Sequence, residues 1–213
     1  MSITTKIWHD ETAFVSKFDN LNFSIDSLGV LSLRVIGDKN NTHFNINITI
    51  NGESKLSNQF NLKDGETRTI TYYIVEKGSL SITGEISAGF ALPPYSGRIE
   101  AIYNTNYQVS NWHDKTAGIS YVENLYLISK NSFKNPQLVL QGKNTKKTKC
   151  MLSILFNGDV LKNFQEELNN ENQIIIDLDK NSLNKKGSLQ VFGFIQNESL
   201  LDADANISLF ESN

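Results

Sequence analysis

Apolar residues fall at every second position along much of this chain. In Phe44-Asn45-Ile46-Asn47-Ile48-Thr49-Ile50 they alternate with Asn and Thr, which in an extended strand sends one set into a core and the other into water. Asn51-Gly52 follows directly and tolerates the positive φ angles of a type I′ turn, so a return strand over 56–62 is predicted. The same device recurs as a strand over 151–156, the dipeptide Asn157-Gly158 and a strand over 160–164. Further strands are predicted at 14–25, 30–36, 67–75, 79–86 and 99–107, then at 119–128, 137–141, 173–178, 188–195 and 205–210. Helical periodicity is confined to short turns at 163–168 and 199–203.

The pattern is written twice. Trp8-His9-Asp10-x-Thr12-Ala13 recurs as Trp112-His113-Asp114-x-Thr116-Ala117, which uses both tryptophans and two of the three histidines of the chain. Gly37 corresponds to Gly142, and Gly78-Ser79-Leu80-x-x-x-Gly84-x-Ile86 to Gly187-Ser188-Leu189-x-x-x-Gly193-x-Ile195. A register sustained over so many positions marks an internal duplication. With 213 residues, the chain is expected to form two domains, 1–106 and 107–213. About seven short strands per copy, each bounded by turn residues, predict an all-β protein of two tandem antiparallel β-sandwich domains. Each is immunoglobulin-like or jelly-roll-like, with a small barrel as the alternative. The join over 103–112 has neither proline nor a Gly/Ser tract, so a flexible tether is not expected.

Composition narrows the function classes. The net charge is -3, and both halves are evenly mixed, with 9 basic and 11 acidic residues in the first 106. Lys143, Lys146, Lys147 and Lys149 form the one basic run and flank a predicted turn, so a nucleic-acid partner is not expected. No segment approaches the ~18 apolar residues of a membrane span, and the amino-terminal stretch lacks the apolar core of a secretory signal. A chain that stays in the cytoplasm, or is released without a signal peptide, is expected. The lone cysteine, Cys150, opens an apolar stretch and reads as a small buried hydrophobe.

The repeated motif supports two accounts. In the structural one, the tryptophans close the sandwich cores, while Asp10 and Asp114 accept backbone hydrogen bonds two residues on as Asx-turns. In the functional one, an exposed indole beside a histidine and a carboxylate forms a sugar site. The ring face would cover the C–H patch of a pyranose, and Trp8, His9 and Asp10, with Trp112, His113 and Asp114, would supply one weak site per copy. Neighbouring His and Asp residues on a strand point to opposite faces, so no metal is expected from the motif. Asp177-x-Asp179-x-Asn181 and Asp202-x-Asp204-x-Asn206 resemble the start of a calcium loop but lack its glycine and glutamate, leaving calcium a weak candidate and no cofactor expected. A second candidate site is the loop holding Phe90, Tyr95 and Arg98, stiffened by Pro93-Pro94 and present in the first copy alone.

No nucleophile elbow, phosphate loop, His-Glu-x-x-His or Cys-x-x-Cys is present. The expectation is therefore a non-catalytic binding module whose leading ligands are glycans. Its alternatives are a structural or self-assembling protein making contacts with another protein or its own copies, and a membrane-docking toxin domain.

Overall fold

The computed structural model describes residues 2–88, 94–116, 118–143, 148–168, 173–179, 181–197 and 203–212. Phe90, Lys146, Lys147, Asp202 and most of the turn expected at 199–203 lie outside these residues. The chain divides into two compact units, Met1–Thr105 and Asn106–Asn213.

Unit 1 contains β1 (Ile3–Thr12), β2 (Val15–Ile25), β3 (Gly29–Lys39), β4 (Thr42–Ile50), β5 (Glu53–Leu62), β6 (Thr67–Ile74), β7 (Gly78–Ala88) and β8 (Tyr95–Asn104). Unit 2 contains β9 (Tyr107–Thr116), β10 (Ile119–Ser129), β11 (Gln137–Lys143), β12 (Thr148–Phe156), β13 (Asp159–Leu168), β14 (Ile174–Asp177), β15 (Gly187–Asn197) and β16 (Ala203–Ser212). The sheets of unit 1 have the order β1-β8-β3-β6 and β2-β7-β4-β5. Those of unit 2 have β9-β16-β11-β14 and β10-β15-β12-β13, the same order with eight added to each label. Every pairing is antiparallel. Eight strands that cross between two four-stranded sheets at every step except one hairpin, β4–β5 in unit 1 and β12–β13 in unit 2, form a jelly roll, so of the two expected sandwich types the jelly roll is the one present.

Each unit has eight strands where the alternation predicted about seven. The additional ones are β1 and β9, edge strands whose inward positions mix Lys6, Trp8, Asp10 and Thr12 rather than repeating an apolar residue. The helical turn expected at 163–168 is instead part of β13, another edge strand. Phe164 and Leu168 have helical spacing, but hydrogen bonding to β12 decides the outcome.

Period two then builds the cores. Phe44, Ile46, Ile48 and Ile50 of β4 are all buried, as are Cys150, Leu152, Ile154 and Phe156 of β12. Each unit has its own cluster, the first around Leu31, Leu33, Phe44 and Ile99, the second around Leu138, Leu140, Ile154 and Ile207. Burial pushes the Cys150 thiol up to about 12, with the Glu166 carboxylate adding to the shift.

The repeated glycines and asparagines join the β4–β5 hairpin to the neighbouring strand. Asn51 and Gly52 have φ of 52° and 81°, and Asn157 and Gly158 have 53° and 92°, as a type I′ turn demands. The Asn51 carboxamide accepts from Ser79 N at 3.0 Å and donates to the Lys77 carbonyl at 3.1 Å; Asn157 accepts from Ser188 N at 2.9 Å. A Cβ on Gly78 or Gly187 would strike these carboxamides. Farther along, a Cβ on Gly84 would meet the Asn45 carbonyl, and one on Gly193, where φ is 147°, would meet the Met151 carbonyl. The Gly-Ser-Leu motif is thus repeated because two backbone segments must approach closely there.

Gly193→Ala and Gly84→Ala are each expected to destabilise the fold by about 1–3 kcal/mol. Gly118→Ala, with open space around it, is expected to leave the thermal unfolding midpoint unchanged. Cys150 should react with a thiol reagent only after denaturation, a rate that colorimetric titration measures directly.

Candidate functional site

The two copies of the Trp-His-Asp motif occupy equivalent places. Trp8 stands opposite Ile99 on β8, and Trp112 opposite Ile207 on β16. Trp8 is 9% exposed, with its ring centroid 4.9 Å from that of Phe18, and Trp112 packs half-buried against the second core. The exposed indole required for a sugar platform is therefore absent at both positions. At Trp8, β1 must cover the open end of its own core, and a large ring is what fills that gap.

Asp10 and Asp114 belong to the same construction. Ser16 Oγ donates to Asp10 Oδ2, and Ser120 Oγ donates to Asp114 Oδ2. The other carboxylate oxygen accepts from the next backbone amide, Glu11 N or Lys115 N, at 2.8 Å in both copies. The bond goes to the next residue rather than two residues on, so this is not the expected Asx-turn. It fastens the corner where the chain leaves one sheet and enters the other, and it extends the repeat to Ser16 and Ser120. These hydrogen bonds, the Ser16 hydroxyl foremost, hold the Asp10 carboxyl below its ordinary value.

The histidines point the opposite way, to the outer face. His9 Nε2 lies 3.3 Å from Asp38 Oδ2 and 3.2 Å from Ser96 Oγ; His113 Nε2 lies 2.7 Å from Asp204 Oδ1. Arg98 sits across from His9 and pairs through Nη2 with Glu100 at 2.8 Å, while Arg34 reaches the same carboxylate at 3.4 Å. Tyr95, 2% exposed, is part of the packed interior. The structure thus separates Tyr95 from Arg98 by burial, and Phe90 lies outside the described residues. Asp179 accepts from Asn181 N at 3.0 Å and Ser182 Oγ at 3.1 Å, while Asp177 accepts from Gln137 at 2.8 Å, so both carboxylates serve local packing. Among the described residues, no three His, Cys, Asp or Glu side chains gather where they could hold a metal ion.

A different surface separates the two copies. On the outer face of β2-β7-β4-β5, Lys17, Glu85, Asn45 and Gln59 form one row across the strands. The equivalent row on β10-β15-β12-β13 is Tyr121, Phe194, Met151 and Gln165. Two residues along, Thr83 is replaced by Phe192, and at the far end Asn22 is replaced by Tyr126. Tyr121 is 66% exposed and Phe192 48%, and the Tyr121 and Phe194 rings meet edge to face at 6.4 Å. These rings line an open groove of about 790 Å³, within the usual range for small-ligand sites. Ser153 and Asn163, joined by a 2.6 Å hydrogen bond, lie on its floor with Gln165, and Glu123 stands at the β10 bulge. The signal was present in the sequence as aromatic residues at the outward-facing, period-two positions of the second copy only.

No family model and no curated protein matches the chain. Among solved structures, the exported protein XepA of PBSX is similar at 8% identity and a TM-score of 0.32, over 98% of this chain and 86% of that one. The major capsid protein P2 of bacteriophage PM2 is similar at 8% identity and a TM-score of 0.28, over 98% and 97%. A peptide-N(4)-(N-acetyl-β-D-glucosaminyl) asparagine amidase shows 13% identity and a TM-score of 0.32, over 98% and 97%. At such scores these likenesses have no bearing on function. No helix among the described residues is long and apolar enough to cross a membrane.

A carboxyl whose folded-state pKa is depressed stabilises the fold above its unfolded pKa, and that contribution is lost as the pH falls through the folded value. Ser16→Ala is therefore expected to lower stability at neutral pH. The gap from wild type should narrow below about pH 4, where the unfolded-state carboxyl also protonates. Urea denaturation at a series of pH values reads this directly.

Proposed function

We propose that the protein is a non-catalytic binding module whose ligand is a carbohydrate held in the groove of unit 2. The observation that carries this reading is the replacement of a polar row by Tyr121, Phe194 and Met151 on an otherwise equivalent sheet. The fold does not require those residues, since unit 1 forms the same sheet with Lys17, Glu85 and Asn45. Exposed aromatic side chains lose contact with water at little entropic cost when a ligand covers them, and their faces suit the apolar C–H patch of a pyranose. The side-chain amides of Gln165 and Asn163, with the Glu123 carboxylate, supply donors and acceptors for ring hydroxyls. Glu123 is the one acidic side chain among the described lining residues. Glycoside hydrolysis by the usual route needs two, which favours binding without catalysis. The reading gives one site per chain, in place of a pair at the tryptophans.

Self-association is the second reading, favoured by the spread of apolar residues beyond the groove. Ile119, Ile128 and Val160 of the same sheet are each more than half exposed, and extended apolar faces of this kind commonly mark protein contacts.

Tyr121→Ala and Phe192→Ala are each expected to weaken binding to a responsive glycan by about tenfold or more. Both should leave the unfolding midpoint nearly unchanged, because these side chains are exposed. A glycan array followed by calorimetric titration supplies the affinities. If no glycan binds and light scattering shows a mass that rises with concentration, the second reading replaces the first.

A further inference from the structure

The aromatic residues of unit 2 extend beyond the groove, along the paired strands β10 and β15. Tyr121 and Phe194 share one cross-strand position, Phe192 lies two residues before Phe194 on β15, and Tyr126 stands opposite Gln190, two residues before that. Four residues of antiparallel strand cover about 13 Å, a distance longer than any single sugar ring. The corresponding positions of unit 1 are Lys17, Glu85, Thr83 and Asn22, so the whole line, and not one ring, is what distinguishes the second copy.

Charge also constrains the ligand. The described lining of the groove carries one formal charge, Glu123, and beyond it Lys149 lies opposite Glu167 across β12 and β13. Among the described residues of this surface no excess of positive charge is present to hold a polyanion, and an acidic polysaccharide would meet the Glu123 carboxylate.

From this line of rings and its neutral surroundings, we infer that the surface binds an internal stretch of a linear, uncharged polysaccharide. Its chain axis runs along β10 and β15, and successive sugar units stack on Tyr121 with Phe194, on Phe192 and on Tyr126. Gln165, Asn163 and Glu123 fix the unit in the groove, while Tyr126 acts as an outer subsite that only a longer chain reaches. This inference rests on the carbohydrate reading and specifies the form of its ligand.

The test is calorimetric titration of the full chain with neutral cello-, xylo-, manno-, chito- and malto-oligosaccharides of increasing length, and with oligogalacturonates as the acidic comparison. For at least one neutral series, affinity is expected to rise by about tenfold or more from the disaccharide to longer oligomers. Tyr126→Ala should remove most of that rise without changing disaccharide affinity, and the acidic series should bind more weakly. Affinity that is independent of length, or a Tyr126→Ala protein with an unaltered length dependence, would overturn the extended site while leaving carbohydrate binding in place. Tighter binding of the acidic series would overturn the neutral ligand. Absence of binding to every oligosaccharide would overturn both the inference and the reading beneath it.

Discussion

Sheet-on-sheet packing commits one face of every strand and leaves the other free, and all else in this molecule depends on that division. Each unit closes two four-stranded sheets around an apolar cluster. Inward positions must fill space at near-crystalline density and in low-energy rotamers, so their chemistry is narrow. Outward positions answer mainly to solvent. The two copies in one chain display the consequence: β4 and β12 bury equivalent rows of apolar side chains, while the outer rows of the same strands and their neighbours run from Lys, Glu and Asn in one unit to Tyr, Phe and Met in the other.

The most conspicuous repeated residues are scaffolding by the same logic. Trp8 and Trp112 close the ends of their cores, and Asp10 and Asp114 bond to Ser16 and Ser120 across the corner between sheets. Asn51 and Asn157 tie the hairpin to the strand that begins at a glycine, because the carboxamide occupies the space a side chain would need. Each feature solves a problem inherent in building a jelly roll twice. Repetition inside one chain therefore marks what folding demands, and divergence between the copies marks an outer face that folding leaves free.

That surface is a shallow aromatic groove on an open sheet, a form suited to covering one side of an extended ligand. Its rings stand on β15, a central strand of the sheet, and on β10, the edge strand paired with it. Rigid aromatic anchors on paired strands give contact area without a large ordering cost. The charged outer face around His9, Arg98 and Glu100 has a different character, with its side chains engaged with one another.

The sequence by itself determined the all-β class, the duplication, both Asn-Gly hairpins and most of the strands, because period-two alternation and turn chemistry are local and survive in any context. It missed β1 and β9, and misread β13, because edge strands are held by pairing with a neighbour rather than by an apolar face of their own. It left open whether the tryptophans face the core or water, since composition cannot say which way a side chain points. Tertiary structure alone decided that Trp8 faces inward, that Tyr95 is buried while Arg98 is not, and that Tyr121, Phe192, Phe194 and Tyr126, distant in sequence, form one line. That line exists only once antiparallel pairing sets the register of β10 against β15, and register is a property of two strands together.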